Sequence, residues 1–330
     1  MHPGTPPFSI TNRMLELVSS ISEKIGRIGI RADMRRGPHL RKNSSIASIH
    51  ASLKIEANSL SLSEVRDVIN GRPVMGDARE IQEVKNAYAA YELMDTVDPF
   101  SIDDLKKVHG IMTAGLVRET GTFRKGNEGV FAGDACVFVA PPPHMVPSLV
   151  ENLFNWMRDN RDTVHPLILS SVFHYEFVFI HPFSDGNGRM ARFWQTAILN
   201  AWRKLFAYIP LESRIEKFQQ EYYDAISECH GRGSSDVFVE FMLERIEEII
   251  DETETAWKRR SVETSGYVSR MLACMEYDVP YTAVEIMRML RLTSRSSFRK
   301  IYLAPALELG LVEMTLPQRP NSRNQRYVKR

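Results

Sequence analysis

LILSSVFHYEFVFI, residues 167–180, runs without a break into HPFSDGNGRMAR, residues 181–192. The first stretch is apolar on nearly every helical face, and a helix that is hydrophobic all round is one enclosed by others. It predicts the central helix of an α-helical domain, which fixes where the next residues stand. Pro182 ends that helix, since a proline offers no N–H and disfavours helical backbone in the residue before it. Asp185-Gly186-Asn187-Gly188 then predicts a tight turn whose glycines admit positive φ and let backbone N–H groups converge outward. A second helix begins there, so its unpaired N–H groups and the positive end of its dipole face the same point and form an anion cradle.

Arg189 and Arg192 lie three apart, on one face near the start of that helix. Cations there oppose the helix dipole, a cost that a bound polyanion removes, and a triphosphate supplies that charge. Asp185 is a hard oxygen ligand suited to Mg²⁺, an ion that keeps several waters and so needs few carboxylates. His181 titrates near neutral pH and can take a proton from an attacking hydroxyl. These residues together predict a site for attack on a nucleotide phosphate.

Outward from this centre, helical periodicity recurs and strand-like alternation is scarce, so the fold class is all-α. Ser61-x-x-Glu64 is a capping box that starts a helix ending at Gly71 and Pro73. Further helices are predicted over 77–97, 101–114, 147–159, 166–180, 188–204, 211–229 and 235–260. GTFRKGNEGVFAGDACVFVAPPP, residues 121–143, breaks the pattern with glycines around two short β-prone pieces, which predicts an irregular hairpin between helices. His174, seven before His181, is expected to be a satisfied core histidine, because no second ligand is spaced to join it in a metal site. His109, His144 and His165 have no ligand-like spacing either. The aromatic run Phe193-Trp194, with Trp202, Phe206 and Tyr208, is expected to be helix packing.

A chain of 330 residues with 43% hydrophobic residues and a formal charge of +1 is that of an ordinary globular protein of about two domains. No field over the whole surface demands nucleic acid or membrane, so a basic partner site must be local. Cys136, Cys229 and Cys274 form no C-x-x-C pair, which argues against a zinc site or a disulfide framework and for a reducing compartment. MHPGTPPFSI lacks the marks of a secretory signal, and no run of about 18 apolar residues offers a membrane span. The expected location is cytoplasmic, with no membrane partner.

From Ser261 onward the composition shifts to 11 Lys+Arg against 6 Asp+Glu, a net +5. Thr282-x-x-Glu285 caps a short helix, Thr293 or Ser294 starts another, Gly310 stops it, and the last twenty residues suggest a hairpin. That order resembles a small winged helix-turn-helix. Arg288, Arg291, Arg295, Arg299 and Lys300 near the presumed recognition helix, with Arg319, Arg323, Arg326 and Lys329 on the wing, admit DNA or a protein as its partner.

HPFSDGNGRMAR fits H-x-F-x-[D/E]-G-N-G-R-x-x-R at every specified position, and the chain thereby resembles the Fic (filamentation induced by cAMP) family over about residues 44–230. The resemblance implies a Fic-fold helical core with a β-hairpin flap, and transfer of AMP from ATP to a hydroxyl side chain of a target protein or of the chain itself, with Mg²⁺. It implies His181 as general base and Asp185 as the metal ligand. Gly186, Asn187 and Gly188 would cradle the α- and β-phosphates, Arg189 would meet the β-phosphate and Arg192 the γ-phosphate, with Phe183 a core anchor. Ser52-Leu53-Lys54-Ile55-Glu56-Ala57-Asn58 resembles the family's inhibitory motif [S/T]-x-x-x-E-[G/N], except that Ala57 stands where glycine or asparagine is expected. Glu56 would then pair with Arg192 and occupy the γ-phosphate position. Val137, Phe138, Val139 and Ala140 would be the flap edge on which a target segment adds as a strand.

The organisation expected is an N-terminal helical region over 1–100 with the inhibitory helix at about 44–58, a catalytic core over 101–260 and the winged helix over 261–330. Other readings left open are a nucleotide-sensing, DNA-binding regulator, a Fic enzyme that transfers another phosphate-containing group, and one that removes AMP. A second copy of the chain is a further candidate partner.

Overall fold

Helices carry most of the chain, and their ends show why they start and stop where they do. The computed structural model describes residues 5–31, 37–132, 135–263, 266–276 and 279–329. The described chain divides into two compact units, the larger running to Ile250 and the smaller from Asp251 onward, with the first residues of the helix that starts at Gly37 counted in the smaller and the last part of the helix that crosses Ile250 likewise.

The larger unit opens with α1 (Asn12–Arg31) and α2 (Gly37–Ile55). Then come α3 (Leu62–Ile69), capped by the Ser61–Glu64 box, α4 (Ala78–Tyr91), whose Asp77 carboxylate accepts from two backbone N–H groups, and α5 (Ile102–Met112). A two-stranded antiparallel hairpin, β1 (Gly129–Ala132) and β2 (Ala135–Val139), is followed by α6 (Val146–Asn160). The unit's centre is α7 (Pro166–Ile180), which packs on α8 (Asn187–Trp202). Leu167, Val172, Phe173 and Phe177 on α7 and Met190, Phe193 and Trp194 on α8 are all solvent-free. Each such side chain contributes roughly 1.5–3 kcal/mol of transfer free energy, so these two helices fix the geometry of the loop between them. Then follow α9 (Glu212–Lys217), α10 (Gln219–Arg232) and α11 (Asp236–Glu263).

The beginning of this unit is stapled to α11. Ser235 N–H donates to the Pro7 carbonyl, Ser9 N–H to Asp236, the Thr11 hydroxyl to Glu240, and the Arg13 guanidinium to Glu244. Ser20 and Lys24 both donate to Glu247. Met14, Leu17, Ile21 and Ile28 bury the apolar face of α1.

The smaller unit holds α12 (Gly266–Cys274), β3 (Pro280–Tyr281) and α13 (Ala283–Met289), capped by the Thr282–Glu285 box. Next comes one helical stretch whose first turn, α14 (Arg295–Ser297), loosens to π-helical pitch over Phe298–Leu303 before α15 (Ala304–Glu308). Gly310 at φ 63 ends it, and β4 (Val312–Met314) and β5 (Tyr327–Lys329) complete an antiparallel sheet ordered β3-β5-β4. Val268, Met271, Ile286, Phe298, Tyr302, Ala306 and Val312 form its core. The observed order of three helical stretches and a terminal hairpin is the one the sequence predicts.

Two helices end earlier than their periodicity suggests. The one predicted over 77–97 stops at Tyr91, where the amides of Leu93, Met94 and Thr96 tighten onto carbonyls three residues back. The one predicted over 211–229 breaks at Phe218 (φ −114°, ψ 40°), whose ring lies under the Arg245 guanidinium at 4.3 Å, so α9 and α10 are separate. Among the described residues no helix is long and apolar enough to cross a membrane.

Candidate active site

The loop between α7 and α8 brings His181, Asp185, Gly186, Asn187, Gly188, Arg189 and Arg192 together. Ile180 is the last helical residue, and His181 turns into the left-handed region at φ 51°, ψ 59°. For a residue with a Cβ this conformation costs about 1–2 kcal/mol, so neighbours must hold it. Its Nδ1 lies 3.3 Å from the Val178 carbonyl. A proton on Nδ1 serves that contact and leaves the Nε2 lone pair free to accept another. Burial lowers the proton affinity of His181 below its ordinary value, aided by the nearby Arg124 cation and opposed by the Val178 carbonyl, Glu56 and Asp185. The neutral imidazole is therefore favoured.

Three groups brace the loop from behind. Phe183 is fully buried, and the His109 ring stacks on it with centroids 3.7 Å apart and planes within 5°. The His109 Nδ1 accepts from Gly121 N–H at 2.9 Å, so its Nε2 carries the proton and donates to the Asp185 carbonyl at 3.0 Å. Burial pushes the His109 pKa down to about 4, which keeps this strut neutral. The Asn187 side chain donates to the Phe183 carbonyl at 2.7 Å and accepts from Phe183 N–H at 2.9 Å. Asn187 thus spends its amide on the loop, and only its backbone N–H remains for a ligand.

Gly186 adopts φ 79°, open to glycine, and caps α8 without any side-chain acceptor for the helix's first N–H groups. At Gly188 a Cβ would overlap the Glu56 carboxylate and stand 3.1 Å from the Arg192 Nη1, so any side chain there would have to displace Glu56. Arg189 is buried and donates from Nη2 to the Asp185 carboxylate at 3.1 Å, while its Nε and Nη1 are buried with no hydrogen bond. Glu83 stands 3.9 Å from Nη1. Donors left idle in this way cost free energy unless a ligand accepts from them, and at a helix N-terminus the acceptor is an anion. The Asp185 carboxylate, about one-third exposed, also faces Arg79 at 3.5 Å.

Arg192 has a side chain only 1% exposed. Its Nε donates to the Ser52 hydroxyl at 2.9 Å, and its Nη2 to the Ser52 carbonyl at 3.0 Å and to Glu56 Oε1 at 2.7 Å. Burial pulls its proton affinity down, but the Glu56 carboxylate outweighs that and raises it. Glu56 sits in the turn just after α2, whose Ile46, Ile49 and Leu53 are buried. Ala57 adopts φ 66°, the left-handed C-cap geometry in which the motif prefers glycine or asparagine. Asn58 donates to Glu83 and to the Glu80 carbonyl, and Gln219 donates to the Ile55 carbonyl at the helix's open end.

On the flap, Val139 is 71% exposed, Ala140 is buried with its N–H donating to the Glu128 carbonyl, and Phe138 stacks on His230 with centroids 4.2 Å apart. The side chain of Val137 lies outside the described residues. Phe138 therefore packs inward while Val139 presents its side chain to solvent, so the three flap residues whose side chains are described are not equivalent. His174 is a satisfied core histidine, bound to Gln195 and the Tyr222 hydroxyl, and burial lowers its pKa to about 3. Phe193 and Trp194 pack in the core, Trp194 donating to the Pro99 carbonyl. In the smaller unit Lys329 does not face outward as expected: its ammonium donates to the Leu272 and Met275 carbonyls at the end of α12. Ser52, the first residue of the motif that contains Glu56, binds Arg192, whereas His109 and Arg124 are site residues that spacing did not reveal, because each meets the loop from a sequence-distant element.

A histidine, an acid and two arginines at the start of a helix, between the two core helices of an all-α unit, define a protein of the Fic type. Residues 99–199 match the Fic/DOC family, and residues 266–328 match the C-terminal domain of Fic-like filamentation induced by cAMP proteins. A solved Fic family protein from Desulfovibrio desulfuricans G20 is 40% identical, with 99% of this chain and 98% of that one covered at a TM-score of 0.75. The protein adenylyltransferase Fic of Nematostella vectensis is 26% identical over 247 residues, 72% of this chain and 55% of that protein. That of Drosophila melanogaster is 26% identical over 254 residues, 74% of this chain and 48% of that protein. The chain spans about half the length of these curated relatives. It belongs to the Fic family.

Proposed function

We propose that this chain transfers AMP from ATP to a hydroxyl side chain of a protein, and that Glu56 restrains the transfer. The observation that carries the reading is the convergence on one loop of uncapped N–H groups, the half-satisfied buried Arg189, the buried Arg192 and the imidazole of His181. A nucleoside triphosphate is the ligand that answers all of these at once. In the reaction, the attacking hydroxyl passes its proton to His181 Nε2 while its oxygen forms a bond to the α-phosphorus. The bond from that phosphorus to the β-phosphate bridging oxygen breaks in line, and pyrophosphate leaves. Backbone N–H groups at Gly188 and its neighbours, with Arg189 and Arg192, hold the phosphates and offset the charge that builds on their oxygens.

A Mg²⁺ ion suits this donor set. Asp185 offers hard carboxylate oxygens, and among the described residues no group of three His, Cys, Asp or Glu forms a ready-made cage. That is the pattern of an ion that keeps waters and phosphate oxygens as its other ligands. Bound at Asp185, it would supply further neutralisation of phosphate charge.

Glu56 lies over Gly188 and on Arg192, which supports its place as a stand-in for the terminal phosphate. We divide the chain as the sequence suggests, with a restraining N-terminal region, a catalytic core and a C-terminal unit that selects partners. In that unit Arg295, Arg299, Lys300, Arg319, Arg323 and Arg326 are exposed, which makes duplex DNA a candidate partner. Fluorescence anisotropy of a labelled duplex across a salt series tests that assignment, and binding that ignores salt would remove it. We place the chain in the cytoplasm, where thiols stay reduced.

The test of the main reading uses the Glu56→Gly protein with Mg²⁺ and ATP labelled at either the α- or the γ-phosphate. Label from the α-position on protein, lost in Glu56→Gly/His181→Ala while ADP still binds, is the expected result. Label from the γ-position would replace the reading with transfer of another group. No label from either, with nucleotide bound, would leave a sensor.

A further inference from the structure

We infer that Arg124 is a positioning residue that ties the target-docking flap to His181, so that the two move as one. The inference rests on the adenylyl-transfer reading above and concerns a side chain that the signature motif does not contain. Arg124 lies in the segment between α5 and β1 and is 2% exposed. Its donors reach two separate structures. On the catalytic side, Nε donates to the His181 carbonyl at 2.6 Å, Nη2 approaches the Ile180 carbonyl at 3.4 Å, and the backbone N–H donates to the Pro182 carbonyl at 3.0 Å. On the flap side, Nη1 donates to the Gly126 carbonyl at 2.8 Å and Nη2 to the Pro141 carbonyl at 2.6 Å. Gly126 precedes β1 and Pro141 follows β2, so one guanidinium grips both roots of the hairpin and the Ile180 and His181 carbonyls, while the Arg124 backbone N–H holds Pro182.

A buried cation normally pairs with a carboxylate. Among the described residues none lies within ion-pair distance of Arg124; carbonyls alone answer it, two of them at the negative end of the α7 dipole. This suits a linker better than a simple ion pair, because each carbonyl fixes a direction as well as a distance. The left-handed backbone of His181 needs such an external hold. A target strand that adds to the flap backbone would therefore be registered against the imidazole through Arg124, and a flap displaced by a poor target would displace the base with it. A shift of about 1 Å at a reacting group is enough to lower a rate by roughly 100-fold.

The experiment compares Glu56→Gly with Glu56→Gly/Arg124→Lys, since lysine keeps the charge but reaches fewer carbonyls. Self-modification with ATP and Mg²⁺ is followed by intact mass, and ADP affinity by calorimetry. The expected result is a rate lower by about 100-fold with ADP affinity within a few-fold, because phosphate contacts are untouched. An unchanged rate overturns the inference, and so does equal loss of rate and ADP binding. If the Glu56→Gly parent transfers nothing, the functional reading fails instead. A second measurement needs no variant: hydrogen exchange of the unsubstituted chain under rising sub-denaturing urea. The amides of Arg124, Ala140 and His181 should open together, with one free energy and one urea dependence. Distinct values for the flap and His181 amides would overturn the coupling whatever the lysine variant does.

Discussion

Replacing Glu56 by glycine removes the one carboxylate that shares the Arg192 guanidinium and leaves that guanidinium where it is. Arg192 is 1% exposed, and its Nε and Nη2 remain bound to the Ser52 hydroxyl and carbonyl, so the cation stays aimed at the start of α8. Glu56 lies in the turn beyond Ile55, where glycine costs the helix little. Truncating one partner of a buried charge pair changes an equilibrium by about 2–5 kcal/mol. Glu56 itself is 40% exposed and partly screened, so the lower end of that range, about 2–3 kcal/mol, applies. At 1.36 kcal/mol per factor of ten this is about a 100-fold gain in the rate of AMP transfer at saturating ATP. The assay is the initial rate of mass increase by AMP with Mg²⁺ and ATP, for Glu56→Gly, Glu56→Gln and the unsubstituted protein. Glutamine keeps the volume over Gly188 without the charge and should fall between the two. Equal rates in all three proteins, with ATP shown to bind, would refute restraint by this pair.

Three further outcomes follow from the same geometry. Ala57→Gly relieves a φ of 66° just beyond α2 and should stabilise the larger unit by about 0.5–1 kcal/mol in a urea melt, the left-handed cost exceeding glycine's extra unfolded-state entropy. His109 and His174 have folded pKa values of about 4 and about 3, below the ordinary 6.5. The unfolded chain therefore binds protons that the folded chain refuses, and stability should fall as pH drops from 6.5 toward 4, most steeply near pH ~5 at up to about 1.4 kcal/mol per unit for each histidine, with a shallower fall in His174→Gln. In Glu56→Gly the transfer rate should be level above pH 6.5 and decline only below it, because burial holds His181 neutral at neutral pH; a rate that keeps climbing from pH 6.5 to 8 would remove His181 as the titrating base.

The central helix, the turn after it and the arginines on α8 were legible because their signals are local: an unbroken apolar run, a proline, two glycines and a three-residue spacing. The helix that leads to Glu56 was legible through its motif, yet the positive φ of Ala57 was visible only in the folded chain, since nothing in the residue type announces it. His109 and Arg124 were invisible for a different reason. Most of their partners are backbone carbonyls and amides 12 to 76 residues away, and any sequence offers such partners everywhere. That Phe138 turns inward and Val139 outward, rather than the reverse, depends on the His230 ring that Phe138 stacks on, a partner that alternation alone does not locate. Lys329 misled because a charge count cannot distinguish a solvated ammonium from one spent on helix carbonyls.

The staple between α1 and α11 sets an order of events during synthesis. Thr11 waits for Glu240, 229 residues later, before its side chain has a partner. At about 5–20 residues per second a ribosome takes roughly 10–45 s to deliver it. During that interval the α1 side chains that later bind α11 have no partner there, so the first helix to be made is among the last of the larger unit to be secured.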